Sequence, residues 1–97
     1  MPKYILMPSK AKNKKWTIIT PDEKIIHFGD SRYSDYTINK DPKRKEAYLS
    51  RHGAEDWRDL TKPAAYSRWL LWSEPSLSEA IKKMNKEFNI HIVRKRS

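Results

Sequence analysis

Residues Lys14–Gly29, KKWTIITPDEKIIHFG, decide the fold. Trp16, Ile18 and Thr20 alternate with Thr17 and Ile19, the period of two that belongs to a strand with unlike surroundings on its two faces. Pro21-Asp22-Glu23-Lys24 is turn chemistry, because proline presets φ and aspartate bonds nearby backbone. Ile25-Ile26-His27-Phe28 then returns, so the segment reads as a β-hairpin. Upstream, KYILMPS (residues 3–9) offers a short strand that Pro8 would end, followed by a lysine-rich linker expected to be mobile. Downstream, FNIHIVRK (residues 88–95) places apolar side chains at 88, 90 and 92 and extends the sheet.

Between these strands the pattern changes to helical spacing. DPKRKEAYLSRHG (residues 41–53) opens with Asp41 as a cap and Pro42 at the first position, where its missing N–H costs nothing, and stops at Gly53. KPAAYSRWLLW (residues 62–72) sets Tyr66, Trp69 and Leu70 at i, i+3 and i+4, a short buried helix. In SEPSLSEAIKKMNKEF (residues 73–88) Ser76 caps and Glu79 stands three residues on, as in a capping box. Leu77, Ala80, Ile81, Met84 and Phe88 form its single apolar stripe. The expected fold is α+β: a small antiparallel sheet, made of the N-terminal hairpin and a C-terminal strand, covered on one face by about three helices. The expected organisation is a basic strand or arm over residues 1–15, one domain over 16–93 and a basic tail over 94–97.

A 97-residue chain supports one core, and with no cysteine neither disulfides nor thiolate metal sites reinforce it. Four Trp, five Tyr and two Phe are the main source of buried area. No apolar run approaches the roughly 20 residues of a membrane span, and residues 1–15 lack the apolar centre of a secretory signal, so an intracellular protein without a membrane span is expected. The net charge is +9, and eight of those charges sit at the ends: five lysines and no acid in residues 1–15, and Arg94, Lys95 and Arg96 at the other terminus. Such a balance favours a polyanionic partner, either double-stranded DNA or an acidic protein surface. The candidate contacts are Lys10, Lys12, Lys14, Lys15, the Lys43-Arg44-Lys45 cluster, Arg94, Lys95 and Arg96. No zinc-finger, recognition-helix or RNP signature accompanies them, so sequence-independent, salt-sensitive binding is the form expected.

The run HFGDSRYSDYT (residues 27–37) poses the choice between an active site and a structural loop. Its best enzymatic form joins His27, Asp30, Arg32 and His52, since imidazole titrates near neutrality and carboxylates orient it. Yet no two histidines stand four apart, no nucleophile elbow exists, and Gly29 and Gly53 are the only glycines, so neither a metal, a cofactor nor catalysis is expected. The structural reading gives Asp30 and Asp35 to backbone N–H groups and to a guanidinium from Arg32, Arg51 or Arg68. Tyr33 and Tyr36 pack their rings and leave their hydroxyls at the rim. Arg51 and Arg68, each preceded by serine near a tryptophan, read as cation–π partners, with Trp69 and Trp72 in the core. Trp57, in the polar run EDWRD, is either a lid on the core or an exposed anchor.

The sequence IHFGDSRYSDYTINKDPKRKEAYLSRH, followed by EDW, SRWLLW and PSLSEAIKKM, resembles a family of small basic proteins encoded by nucleocytoplasmic large DNA viruses, the giant viruses of algae and amoebae. The resemblance runs from about Lys14 to Asn89 and rests on Phe28 to Tyr33, Asp35, Tyr36, Arg44, Lys45, Tyr48, Arg51, His52, Trp57, Ser67, Arg68, Leu71 and Trp72. It implies a virion component without catalytic activity, assembled inside the host cell. One such role lines packaged DNA, and another is a minor capsid or cement protein between larger capsid subunits.

Overall fold

The computed structural model describes residues 1–96. Four strands, β1 (Lys3–Pro8), β2 (Lys14–Ile19), β3 (Ile25–Asp30) and β4 (His91–Arg94), form one open sheet in the order β3-β2-β1-β4. The hairpin forms as its alternation requires, with Trp16 opposite Phe28 and Ile18 opposite Ile26. The α+β class and the helical cover over one face are as the sequence indicates, but the sheet is mixed: β4 lies parallel to β1, Tyr4 opposite Ile92.

The N-terminal segment is not an appendage. β1 is an interior strand, antiparallel to β2 on one side and parallel to β4 on the other, with Leu6 fully buried. Residues 9–13 form a tied turn and not a loose linker: Ser9 N–H donates to Lys15 O at 3.1 Å and Lys14 N–H to Ala11 O at 3.2 Å. Pro8 sits at the last position of β1, where a missing donor does least harm to the ladder.

Helices α1 (Tyr36–Asn39), α2 (Pro42–Arg51), α3 (Pro63–Tyr66) and α4 (Leu77–Phe88) follow β3, with a π-helical turn Ser67–Leu71 continuing α3. Each long helix starts where its capping chemistry stands: the Asp41 side chain accepts from Lys43 N–H and Ser76 Oγ from Glu79 N–H. Helix α4 ends at Asn89, left-handed at φ 53°, and Asn85 Oδ1 accepts from Ile92 N–H at 2.9 Å, which fastens β4 to the helix before it. The wider π turn places consecutive Leu70 and Leu71 in the core. Helix α1, unread in the sequence, is one turn capped by Asp35.

One face of the sheet, through Leu6, Ile18, Ile26, Phe28 and Ile92, meets Tyr66, Leu70, Leu71, Ile81 and Met84 in a single buried cluster. Ile5, Met7, Ile19 and Val93 alternate with these residues and stand outside that cluster.

Candidate functional site

Parallel pairing of β1 with β4 decides where the basic ends go. β1 closes at Pro8 beside the close of β4 at Arg94, and Lys95 N–H donates to Leu6 O at 2.8 Å. The β1–β2 turn carrying Lys10 and Lys12, the start of β2 at Lys14 and the tail Arg94-Lys95-Arg96 therefore emerge at one end of the sheet, all exposed. Arg94 stacks its guanidinium 5.6 Å from the ring of Trp16, an aromatic the sequence reading did not connect with the tail. The two basic segments, remote in sequence, become one patch.

Two of the remaining candidate contacts are turned inward. Lys15, with 13% of its side chain exposed, donates to Asp35 Oδ2 at 2.5 Å, and Asp35 is buried. Lys45 donates to Ser73 O at 2.8 Å and rests 5.1 Å from the Tyr36 ring; burial, with Arg68 nearby, lowers its pKa from the ordinary lysine value. Lys43 and Arg44 are exposed on the first turn of α2, and of the two only Arg44 lines the cleft that Lys14 also lines.

The 28–37 loop is built by its own side chains. Asp30 takes the Arg32 guanidinium in a two-point grip, from Nε at 3.0 Å and Nη2 at 2.8 Å, and also the Arg32 backbone N–H at 2.9 Å. Those bonds hold the Asp30 carboxyl at about 2, well below the usual carboxylate range. Asp35 pairs with Lys15 and with none of the arginines expected; it also accepts from the N–H and hydroxyl of Thr37, and so caps α1. Gly29, at φ +77°, turns β3 into this loop, and a Cβ there would meet Leu71 Cδ1 at 2.8 Å.

The loop, α2 and the start of α3 enclose an open cleft of about 1030 Å³. Its floor is apolar, from Phe28, Leu71, Trp72 and Tyr48, and its rim carries Lys14, Arg44, Arg51, His52 and Tyr33. The spacing of α2 explains the wall: Arg44, Ala47, Tyr48 and Arg51 are one helical face. Trp72, Tyr48 and His52 stand as a column of rings, with centroids 4.5 Å and 4.4 Å apart. Burial pushes the Tyr48 hydroxyl up to about 12. The carboxylates inside the cleft already have partners: Asp30 has the Arg32 guanidinium, Asp35 has the Lys15 ammonium, and Glu55 has the His52 imidazole, at 3.0 Å from Nδ1.

The structure does not assemble the enzymatic set. Asp30 and His52 line the cleft, but His27 lies across the sheet from it, on the face of Ile5 and Met7, 2.7 Å from Thr17 Oγ1. Among the described residues, no three of His, Asp and Glu gather as a metal site. Arg68 does act as a cation–π residue, 5.1 Å from the Trp57 ring and 4.9 Å from that of Trp69, whereas Arg51 stands over no ring among the described residues; burial lowers the Arg68 pKa, and its Nε and Nη1 are buried without partners. Trp57 is half-buried and its carbonyl accepts from Trp69 Nε1 at 2.8 Å, which makes it a lid and not a free anchor.

Neither a curated protein nor a solved structure matches the chain. One family model does, over residues 4–52, which span β1 to α2 and with them the basic turn, the Asp30–Arg32 loop and the Arg44/Arg51 wall of the cleft. That stretch is just over half of the chain, and the protein therefore belongs to the family of unknown function DUF5754.

Proposed function

We propose that the protein binds DNA or another polyanion without sequence preference, as a non-enzymatic structural component of the virion of a large DNA virus. The observation that carries the binding reading is the convergence of Lys10, Lys12, Lys14, Arg94, Lys95 and Arg96 at one end of the sheet. Six cations at one end of the sheet meet the phosphates of a duplex together, and each phosphate neutralised releases condensed counterions. The viral setting rests on the resemblance carried by residues 28–72.

A gel-shift titration on mixed-sequence duplex across salt concentrations tests the binding. The log–log salt slope of the wild type is expected to be steep, and to fall by about 0.9 for each contact removed in Lys10→Gln/Lys12→Gln/Lys95→Gln. No binding at low salt, or an unchanged slope in the triple variant, defeats the reading. Detection of the protein with the DNA of purified virions tests the setting.

A second reading, a minor capsid or cement protein, has its own observation in favour. The sheet face away from the helices carries Ile5, Met7, Ile19 and Val93, only partly covered, and Ile25, which is 62% exposed. Recovery of the protein in the shell fraction of disrupted virions, free of DNA, would favour this reading over the first.

A further inference from the structure

The rim of the cleft has a charge imbalance that its folding role does not explain. All three carboxylates of its lining are held by partners within the chain, at 2.5 Å to 3.0 Å. Lys14, Arg44 and Arg51, on the same rim, have no carboxylate within ion-pair distance among the described residues. An entering ligand therefore meets, over an apolar floor, Arg44 and Arg51 without ion pairs and Lys14, whose charge also acts on Asp30 opposite it in the hairpin. Tyr33 stands at the edge with 68% of its surface exposed, and the Trp72–Tyr48–His52 column ends at the half-exposed His52 ring. A planar group can stack on His52 and on Tyr33, whose ring the Arg32 guanidinium also approaches at 5.9 Å from the centroid, and an anionic group meets two arginines whose backbone positions stand about 10 Å apart along α2.

We propose that this cleft is a binding site for an unpaired nucleotide of a single strand, its base stacked on Tyr33 and His52 and its flanking phosphates held by Arg44, Arg51 and Lys14. The chemistry fits each part: bases stack on aromatic faces regardless of identity, and guanidiniums grip phosphate oxygens in pairs. A base paired within a duplex presents neither face, so the cleft selects strands that are single, looped or frayed. Lys14 belongs to both the cleft and the basic end of the sheet, so a strand gripped in the cleft leads directly onto the patch. The proposal rests on the nucleic-acid reading and adds to it a preference that charge alone would reverse, since a duplex carries twice the phosphate density of a single strand.

Fluorescence anisotropy on the full chain, with a labelled mixed-sequence 12-nucleotide strand and the 12-base-pair duplex of the same sequence, tests it. Wild type is expected to bind the single strand more tightly than the duplex. Arg44→Gln/Arg51→Gln should weaken single-strand binding about tenfold while duplex affinity changes by less than about threefold. Tyr33→Ala should cost the single strand about fivefold or more, and Tyr33→Trp should restore it. All three positions are on the rim, and an unshifted thermal midpoint verifies that the variants are folded. Equal losses on both probes, or a duplex preference in wild type, overturn the cleft as a nucleotide site and leave the basic patch standing. Absence of binding to either probe overturns the patch and the cleft together.

Discussion

At the scale of the residue, Lys15 and Asp35 make the interaction on which the loop depends most. Asp35 is 1% exposed, and its carboxylate serves Lys15, the α1 cap and the Thr37 hydroxyl together. Lys15→Met keeps the aliphatic stem and leaves a charge buried with neutral partners only. A loss on the order of 3–5 kcal/mol in urea denaturation is expected, a magnitude that an exposed lysine never yields. Tyr48 supplies a second test through pH. Its folded-state pKa, about 12, stands above the value of 10 for the unfolded chain, so below pH 10 both states keep the proton and no dependence arises. As pH rises past 10 the unfolded state releases its proton first, and stability falls until the folded hydroxyl also ionises. Between pH 9 and pH 11 the wild type should lose about 1 kcal/mol more than Tyr48→Phe, measured by denaturant titration at each pH.

At the scale of the element, β1 is where the sequence was least transparent. Tyr4 and Leu6 alternate inward like the residues of any half-buried strand, but the lysines that follow made the whole segment look like an arm. Nothing local to residues 3–9 announces a parallel partner almost ninety residues away, whereas the hairpin and the capped helices α2 and α4 are set by neighbours within a few positions. The cleft has the same character. The rim on α2 is legible as one helical face, but its floor draws Leu71 from a π turn, and Trp72 from the residue that ends it, and that backbone leaves no sequence period. The Asp30–Arg32 grip was legible because its partners stand two residues apart, and Lys15–Asp35 was not, because twenty residues separate them. The placement of β1 is itself testable. Deletion of residues 1–9 should abolish the cooperative thermal transition, and Leu6→Ala should cost 2–5 kcal/mol, while removal of Arg96 and Ser97 shifts the midpoint by no more than about two degrees. A deletion of residues 1–9 that melts like the full chain would mean β1 is no part of the fold in solution.

At the scale of the whole molecule, the gathering of cations at one end sets stability against binding. The group Lys10, Lys12 and Lys14 repels the group Arg94, Lys95 and Arg96 only once β1 and β4 are paired, because in the unfolded chain the two groups are far apart. The exposed ion pairs elsewhere, such as Arg58 with Glu87 and Lys24 with Asp22, contribute little and are themselves screened, so they do not offset the net charge of +9. Salt shortens the reach of the repulsion from about 30 Å at 0.01 M to about 8 Å at 0.15 M, and it should stabilise the free protein across that range. With a net relief on the order of 1 kcal/mol, the thermal midpoint rises by about 4–8 °C. Over the same range affinity for a polyanion falls, because each counterion released on binding gains less entropy in the more concentrated solution. The two salt dependences thus have opposite signs and a common cause. Lys10→Glu/Lys95→Glu, which reverses charge at both sides of the patch, should raise the low-salt midpoint and flatten both dependences together. A wild type whose midpoint falls with added salt would mean that attraction, and not repulsion, dominates this end of the sheet, and the patch could not then be an uncommitted site for phosphate.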